Sequence, residues 1–220
     1  MVTALSSKPS AHVDRLAWKV QGLAKHKAPS DRVLIDLSGI PGSGKSTLGA
    51  AVAARINQIE NADSKFAVCL PMDGYHLSRA QLAAMPDPAT AIHPRGAAFT
   101  FDTEAFYRLV QSLQHPVTPS ATIYAPSFDH TIKDPIADDI RISPSLDREP
   151  WDLAAALLDE SWFIDVDRRI AQARLVKRHV ASGTVPAVAA AEHRISSPGF
   201  LNADAIMGNR LPVQELFPGS

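Results

Sequence analysis

Cysteine is nearly absent from this chain: Cys69 is the single one in 220 residues. That excludes an internal disulfide framework and any zinc site built from several cysteines. It also fits a reducing, cytoplasmic setting. The eight histidines are scattered without H-x-x-x-H or Cys/His spacing, so no protein-ligated zinc is expected. Charge of one sign is lacking too. Lys plus Arg (22) nearly cancels Asp plus Glu (23), for a formal charge of −1. That removes the electrostatic footprint of a general nucleic-acid or anionic-membrane binder. No apolar run approaches the roughly 18–20 residues of a membrane span. The head lacks the apolar stretch of a secretory signal. Glycine is sparse (11) beside proline (17), and prolines interrupt helices and central strands, so turns and irregular loops should be common.

What is present suits one α/β domain. Hydrophobic residues are 45% and charged residues 20%, ordinary for a globular core. Val13, Leu16, Ala17, Val20, Leu23 and Ala24 share one helical stripe, with Ser10 available as N-cap. Arg32 to Leu37 reads as a short buried strand. Leu48 to Ile59 is a helix, Lys65 to Leu70 a second strand, and Asp102 to Leu113 a helix capped by Asp102 or Thr103. Residues 114–150 read mainly as loop. Asp152–Leu158 is helical, Ser161–Val166 a strand, Arg168–Ala181 a basic helix and Pro186–Arg194 a short helix. Ala203–Met207 is expected to be a last strand. Strands alternating with helices point to a mainly parallel sheet between helical layers.

Gly39-Ile40-Pro41-Gly42-Ser43-Gly44-Lys45-Ser46-Thr47 contains a full G-x-x-x-x-G-K-[ST] motif, with an apolar strand before it and a helix after it. Such a loop wraps an anion in backbone N–H groups, which needs glycines where a side chain would block approach. The next helix adds its positive end. Lys45 can reach the β- and γ-phosphates, and Ser46 can ligate Mg²⁺. No Asn-Lys-x-Asp string is present, so a GTPase is disfavoured. Two apolar runs end in acids, 66–73 at Asp73 and 162–167 at Asp167. Asp73 closes a strand, where open α/β sheets place ligand chemistry. It could accept a hydroxyl proton or help hold Mg²⁺. Arg174, Lys177 and Arg178 share one helix face and could clamp phosphoryl charge.

Taken in order, these segments resemble the P-loop kinases that include uridine kinase, phosphoribulokinase and bacterial-type pantothenate kinase. The likeness covers most of residues 30–210. Its parts are the loop at 39–47, Pro71-Met72-Asp73-Gly74-Tyr75-His76, His93-Pro94-Arg95-Gly96 with Ala98-Phe99 and Asp102, and Ile123 to His130 around Tyr124. The basic run Arg174 to His179 is similar to the family's lid. The resemblance implies a P-loop three-layer sandwich and one domain over 1–220. Within it, 1–30 is an N-terminal helix, 74–150 acceptor-side loops and a helix, and 168–200 lid-like helices. It implies ATP and Mg²⁺ as cofactors, and a nucleoside, sugar or related polyol as small-molecule acceptor. His76, Arg95, Tyr124 and His130 would be acceptor contacts. Homo-oligomer formation stays open.

The chain departs from the pattern between Tyr124 and Trp151. There the family carries an apolar strand ending in an acid, packed beside the phosphate-loop strand. This chain instead reads Asp138-Asp139-Ile140-Arg141-Ile142-Ser143-Pro144, too short and polar for a doubly buried strand. About one strand and its turn, roughly 10–15 residues, is missing. Two functional readings follow: an ATP-dependent kinase acting on an alcohol, or a nucleotide-binding remnant with impaired catalysis and a regulatory role.

Overall fold

The computed structural model describes residues 11–28, 31–60, 66–86, 97–114, 122–142, 158–183, 185, 187–195 and 200–219. In chain order, α1 is Ala11–Ala24, β1 is Ile35–Gly39 and α2 is Lys45–Ile59. A 3-10 turn at Met72–Tyr75 precedes α3 (Arg79–Ala83). A second such turn, Ala98–Thr100, leads to α4 (Thr103–Gln114). Then come β2 (Ile123–Asp129), β3 (Asp134–Ile142) and β4 (Glu160–Asp165). Helices α5 (Arg168–Ala181), α6 (Val188–Arg194) and α7 (Phe200–Gly208) follow, and β5 (Glu215–Pro218) closes the order.

The central sheet has the order β1-β4-β5 and is parallel throughout. Val13, Leu16 and Ala17 of α1 and Val52 and Ile56 of α2 bury against one of its faces, on Ile35, Leu37, Trp162, Ile164 and Phe217. On the other face Leu34 meets Leu109 and Leu113 of α4 and Tyr75 of the first 3-10 turn. Trp162, Phe163 and Ile164 are all buried, as a strand covered on both faces requires. The α/β class and mainly parallel sheet expected from the sequence are therefore present.

Several elements differ from expectation. Phe66–Leu70 is irregular, not a strand. Backbone groups hold a strand only by pairing, and here Asn57 serves instead: its side chain donates to Ala67 O at 2.9 Å and accepts from Ala67 N at 2.7 Å. Residues 123–142, expected as loop, form an antiparallel hairpin, β2 with β3. Its prolines are tolerated because Pro126 lies at a register shift and Pro135 in a two-stranded ribbon. Its turn is built by Asp129, whose side chain accepts from Thr131 N at 2.6 Å, with Lys133 in the left-handed region (φ 62). Ala203–Met207 lies in helix α7, not a strand. Ala203 and Ile206 face one cluster at a spacing of three, a helical period. The last strand is β5. Asp102 caps α4 as expected, accepting from Ala105 N at 2.9 Å. Ser10 and the helix expected from 152 to 158, apart from Leu158, lie outside the described residues.

The phosphate-loop strand β1 is an edge strand: it pairs with β4, and among the described residues no strand pairs with its other edge. The segment 138–142 does not take that place, because it pairs with β2.

The first helix is tied to the last strand by charge. Lys19 Nζ lies 2.8 Å from both Glu160 and Glu215, and Arg15 forks onto the Glu215 carboxylate with both contacts at 3.1 Å. Arg15 and Lys19 pull the Glu215 carboxyl down from 4.5 to about 2. A carboxylate depressed on folding stabilises above its unfolded pKa, and that contribution fades as pH falls toward the folded value. Replacing Glu215 by Gln should lower Tm by about 2–4 °C at pH 7, the range for ~1 kcal/mol in a chain of this size. The gap to the parent should shrink between pH 4.5 and about 2. Thermal melts across that window check it.

Candidate active site

The loop Gly39–Ser46 turns β1 into α2. Gly42 has φ 84, and a Cβ there would stand 2.4 Å from the Ala171 carbonyl oxygen of α5. Only glycine allows both that backbone and that approach. Helix α5 thus rests directly on the phosphate loop. Arg174 of α5 donates to the Ser43 carbonyl at 3.4 Å. The Ser43 hydroxyl is buried with no partner among the described residues. Ser46 and Thr47 are exposed in the first turn of α2, which carries no acidic residue, so this helix end is open to an anion.

Lys45 Nζ donates to the carbonyls of Gly39 at 2.8 Å and Ile40 at 3.2 Å. Burial pushes this ammonium below its ordinary pKa. Asp73 and Asp36 oppose that push, and Arg178 adds to it. Lys45 therefore sits within electrostatic reach of two acids and one lid arginine. Lys177 is exposed.

Asp73 lies in the 3-10 turn Met72–Tyr75, half exposed, with Oδ1 4.0 Å from His76 Nε2. The turn is pressed on the hairpin: a Cβ on Gly74 would meet the Pro126 carbonyl oxygen at 2.2 Å. The His76 ring stacks on Phe101 with centroids 3.9 Å apart and lies 5.3 Å from Phe128. His130 meets the other side of this group, 5.1 Å from Phe128. Tyr124 lies opposite Arg141 on the hairpin and is half exposed, next to buried Ala125. Arg95 lies outside the described residues. Asp167, the acid ending the run at 162–167, is an N-cap: its side chain accepts from Arg169 N at 2.8 Å.

The structure thus gathers Lys45, Asp73, Arg174 and Arg178 at the loop. It sets His76 and His130 in one aromatic cluster beside Asp73. Sequence reading missed Asp36, which it took as part of an apolar strand; the signal was an acid in that strand, three positions before the loop. The donors that could hold Mg²⁺ are the Ser46 hydroxyl and the Asp73 carboxylate. Both are hard oxygen donors, and two protein oxygens plus phosphate oxygens and water make an ordinary magnesium sphere. Among the described residues no group of three or more His, Cys, Asp or Glu could hold an ion alone.

A phosphate loop on a parallel α/β sheet, capped by a basic helix, defines a P-loop kinase fold. No family model matches the chain. It is 67% identical over 162 residues to the ATP-dependent kinase-like protein notR' of Aspergillus versicolor, covering 68% of this chain and 94% of that protein. It is 40% identical over 182 residues to a Schizosaccharomyces pombe protein named "Putative uridine kinase", covering 77% and 74%. The crystal structure of a "putative fructose transport system kinase" from Silicibacter superposes with a TM-score of 0.74 at 31% identity, over 92% of this chain and 98% of that one. The chain belongs to this P-loop kinase family.

Two glycine substitutions separate the halves of the site. Gly42→Ala should push α5 off the loop and weaken nucleotide binding at least tenfold, the cost of ~1.4 kcal/mol or more. Gly74→Ala should leave binding of the metal-free nucleotide within about twofold and instead displace the Asp73 turn from the hairpin, weakening only the magnesium-bound form. Calorimetric titration with a non-hydrolysable ATP analogue checks both.

Proposed function

We propose that this chain is an ATP-dependent phosphotransferase that moves the γ-phosphoryl group to an alcohol of a small molecule. The observation that carries the reading is the convergence of Lys45, Asp73, Arg174 and Arg178 on one phosphate loop. Residues 1–220 would act as one domain. The names of its relatives, ATP-dependent kinase-like and uridine kinase, favour ATP as donor and a nucleoside, sugar or related polyol as acceptor.

The loop amides and the end of α2 would bind the β- and γ-phosphates. Lys45 would leave the Gly39 and Ile40 carbonyls and bond phosphate oxygens. Asp73 would orient the acceptor hydroxyl and take its proton as the new P–O bond forms and the bond to the departing ADP breaks. Arg174 and Arg178 would face the charge that spreads over the transferred group. His76, Arg95, Tyr124 and His130 are the proposed acceptor contacts. Magnesium, when bound by Ser46 and Asp73, neutralises phosphate charge.

A second reading rests on the edge of β1 that no strand pairs among the described residues. In family members the neighbouring strand brings an acid to the site. A chain without it would bind nucleotide and transfer little, and would act through binding.

The deciding experiment is ATP-dependent phosphorylation over a panel of nucleosides, sugars and polyols, read by mass spectrometry. Product should form with at least one, and Lys45→Ala and Asp73→Asn should each lower the rate by about 10²–10⁴. Nucleotide binding without product from any acceptor would establish the second reading instead. Unchanged rates in both variants would reject the residue assignments.

A further inference from the structure

Asp36 takes no part in the chemistry above, yet it is a carboxylate placed second in β1. Its neighbours Ile35 and Leu37 pack into the core beneath α1 and α2. Alternation turns Asp36 and Ser38 to the opposite face, the face on which Leu34 meets α4 and the Asp73 turn. The Ser38 hydroxyl donates to Asp36 Oδ2. Burial pushes the Asp36 carboxyl above its ordinary range, while Ser38 and the Lys45 ammonium pull it back down. An acid in this position is costly unless it is paired, and Lys45 is the cation that offsets the cost.

The geometry matters because of the edge beside it. Among the described residues β1 has one strand neighbour, and none of them forms an acid-bearing strand on its other edge. Asp36 and Asp73 are the two carboxylates in electrostatic reach of Lys45. Asp73 is half exposed and lies beside His76. Asp36 is partly buried and belongs to the strand that carries the loop.

We propose that Asp36 is a specificity-determining residue, whose partly buried negative charge on the strand that carries the phosphate loop makes the site favour magnesium-bound over metal-free nucleotide. This rests on the nucleotide-binding reading given above. A metal-free triphosphate carries roughly twice the negative charge of its magnesium complex, so a nearby fixed anion repels it more, and a partly buried site screens that repulsion poorly. Asp36 also shares Lys45 with the phosphates: the ammonium is drawn toward the strand on one side and toward the ligand on the other.

The test is calorimetric titration of the full chain with a non-hydrolysable ATP analogue, once in excess Mg²⁺ and once in EDTA. The quantity read is the ratio of the two dissociation constants within each variant, which does not depend on the fraction of sample that is folded. Asp36→Asn keeps the side-chain shape and Asp36→Ser is a smaller neutral replacement. Both should cut the preference for the magnesium form by about fivefold or more, chiefly by tightening metal-free binding. Asp36→Glu should retain the preference. Asp73→Asn, which removes a proposed magnesium ligand, should also cut it, but by weakening the magnesium form. Ratios in both neutral variants equal to the parent's, or equal weakening of both ligand forms, would overturn the inference. A parent chain that binds neither form would overturn the nucleotide reading itself, and this inference with it.

Discussion

A half-buried ammonium needs counter-charge, and the organisation of the site follows from that need. Lys45 cannot be left against the core without acceptors, so its nitrogen is held on two carbonyls at the end of β1. Those carbonyls are available because the chain turns sharply there, and the turn in turn lets α5 come to rest on Gly42. With the helix seated, Arg174 reaches the loop and Arg178 comes within range of Lys45. Two cations close together then require acids nearby, and Asp73 and Asp36 supply them. The loop, the lid and the Asp73 turn are thus parts of one electrostatic balance, which a bound polyphosphate would re-set.

The parts that could be read from the sequence were those with a local signature. The phosphate loop has a fixed spacing of glycines and lysine. The stripe Val13, Leu16, Ala17 has helical period and is buried as that period requires. Asp102 sits where a cap belongs. The failures came where tertiary pairing decides. Phe66–Leu70 carries a strand-like apolar pattern but meets the Asn57 side chain instead of a ladder. Residues 123–142 looked too rich in proline and charge for a strand, yet a two-stranded ribbon tolerates both, since it offers open faces and a bulge. Ala203–Met207 is a short apolar run, for which helix and strand cannot be told apart without neighbours. Within the site, Asp36 was invisible because a single acid in an apolar strand has no spacing to recognise.

Among the described residues β1 has a strand neighbour on one side only, and other contacts hold it in place. Its load is carried by β4, paired along all five residues, and by the core beneath it, where α1 and α2 cover Ile35 and Leu37. The phosphate loop needs β1 to be rigid at its C-terminal end, and the pairing of Gly39 with Ile164 holds that end.

The salt links from Arg15 and Lys19 to Glu215 join positions about 200 residues apart along the chain. The same distant elements share a hydrophobic cluster, in which Val13 and Leu16 pack with Phe217. Contacts of such long sequence separation form late and slow the search for the native state. During synthesis the first helix therefore leaves the ribosome long before its partner strand exists. Helix α2 follows soon after and can cover part of the first helix's apolar stripe through Val52 and Ile56, but the side that meets Phe217 waits for β5. The nucleotide-binding half can take shape earlier, but the sheet is locked only when the last strand arrives. Until then that side of the first helix is exposed apolar surface on a growing chain, the kind that favours aggregation.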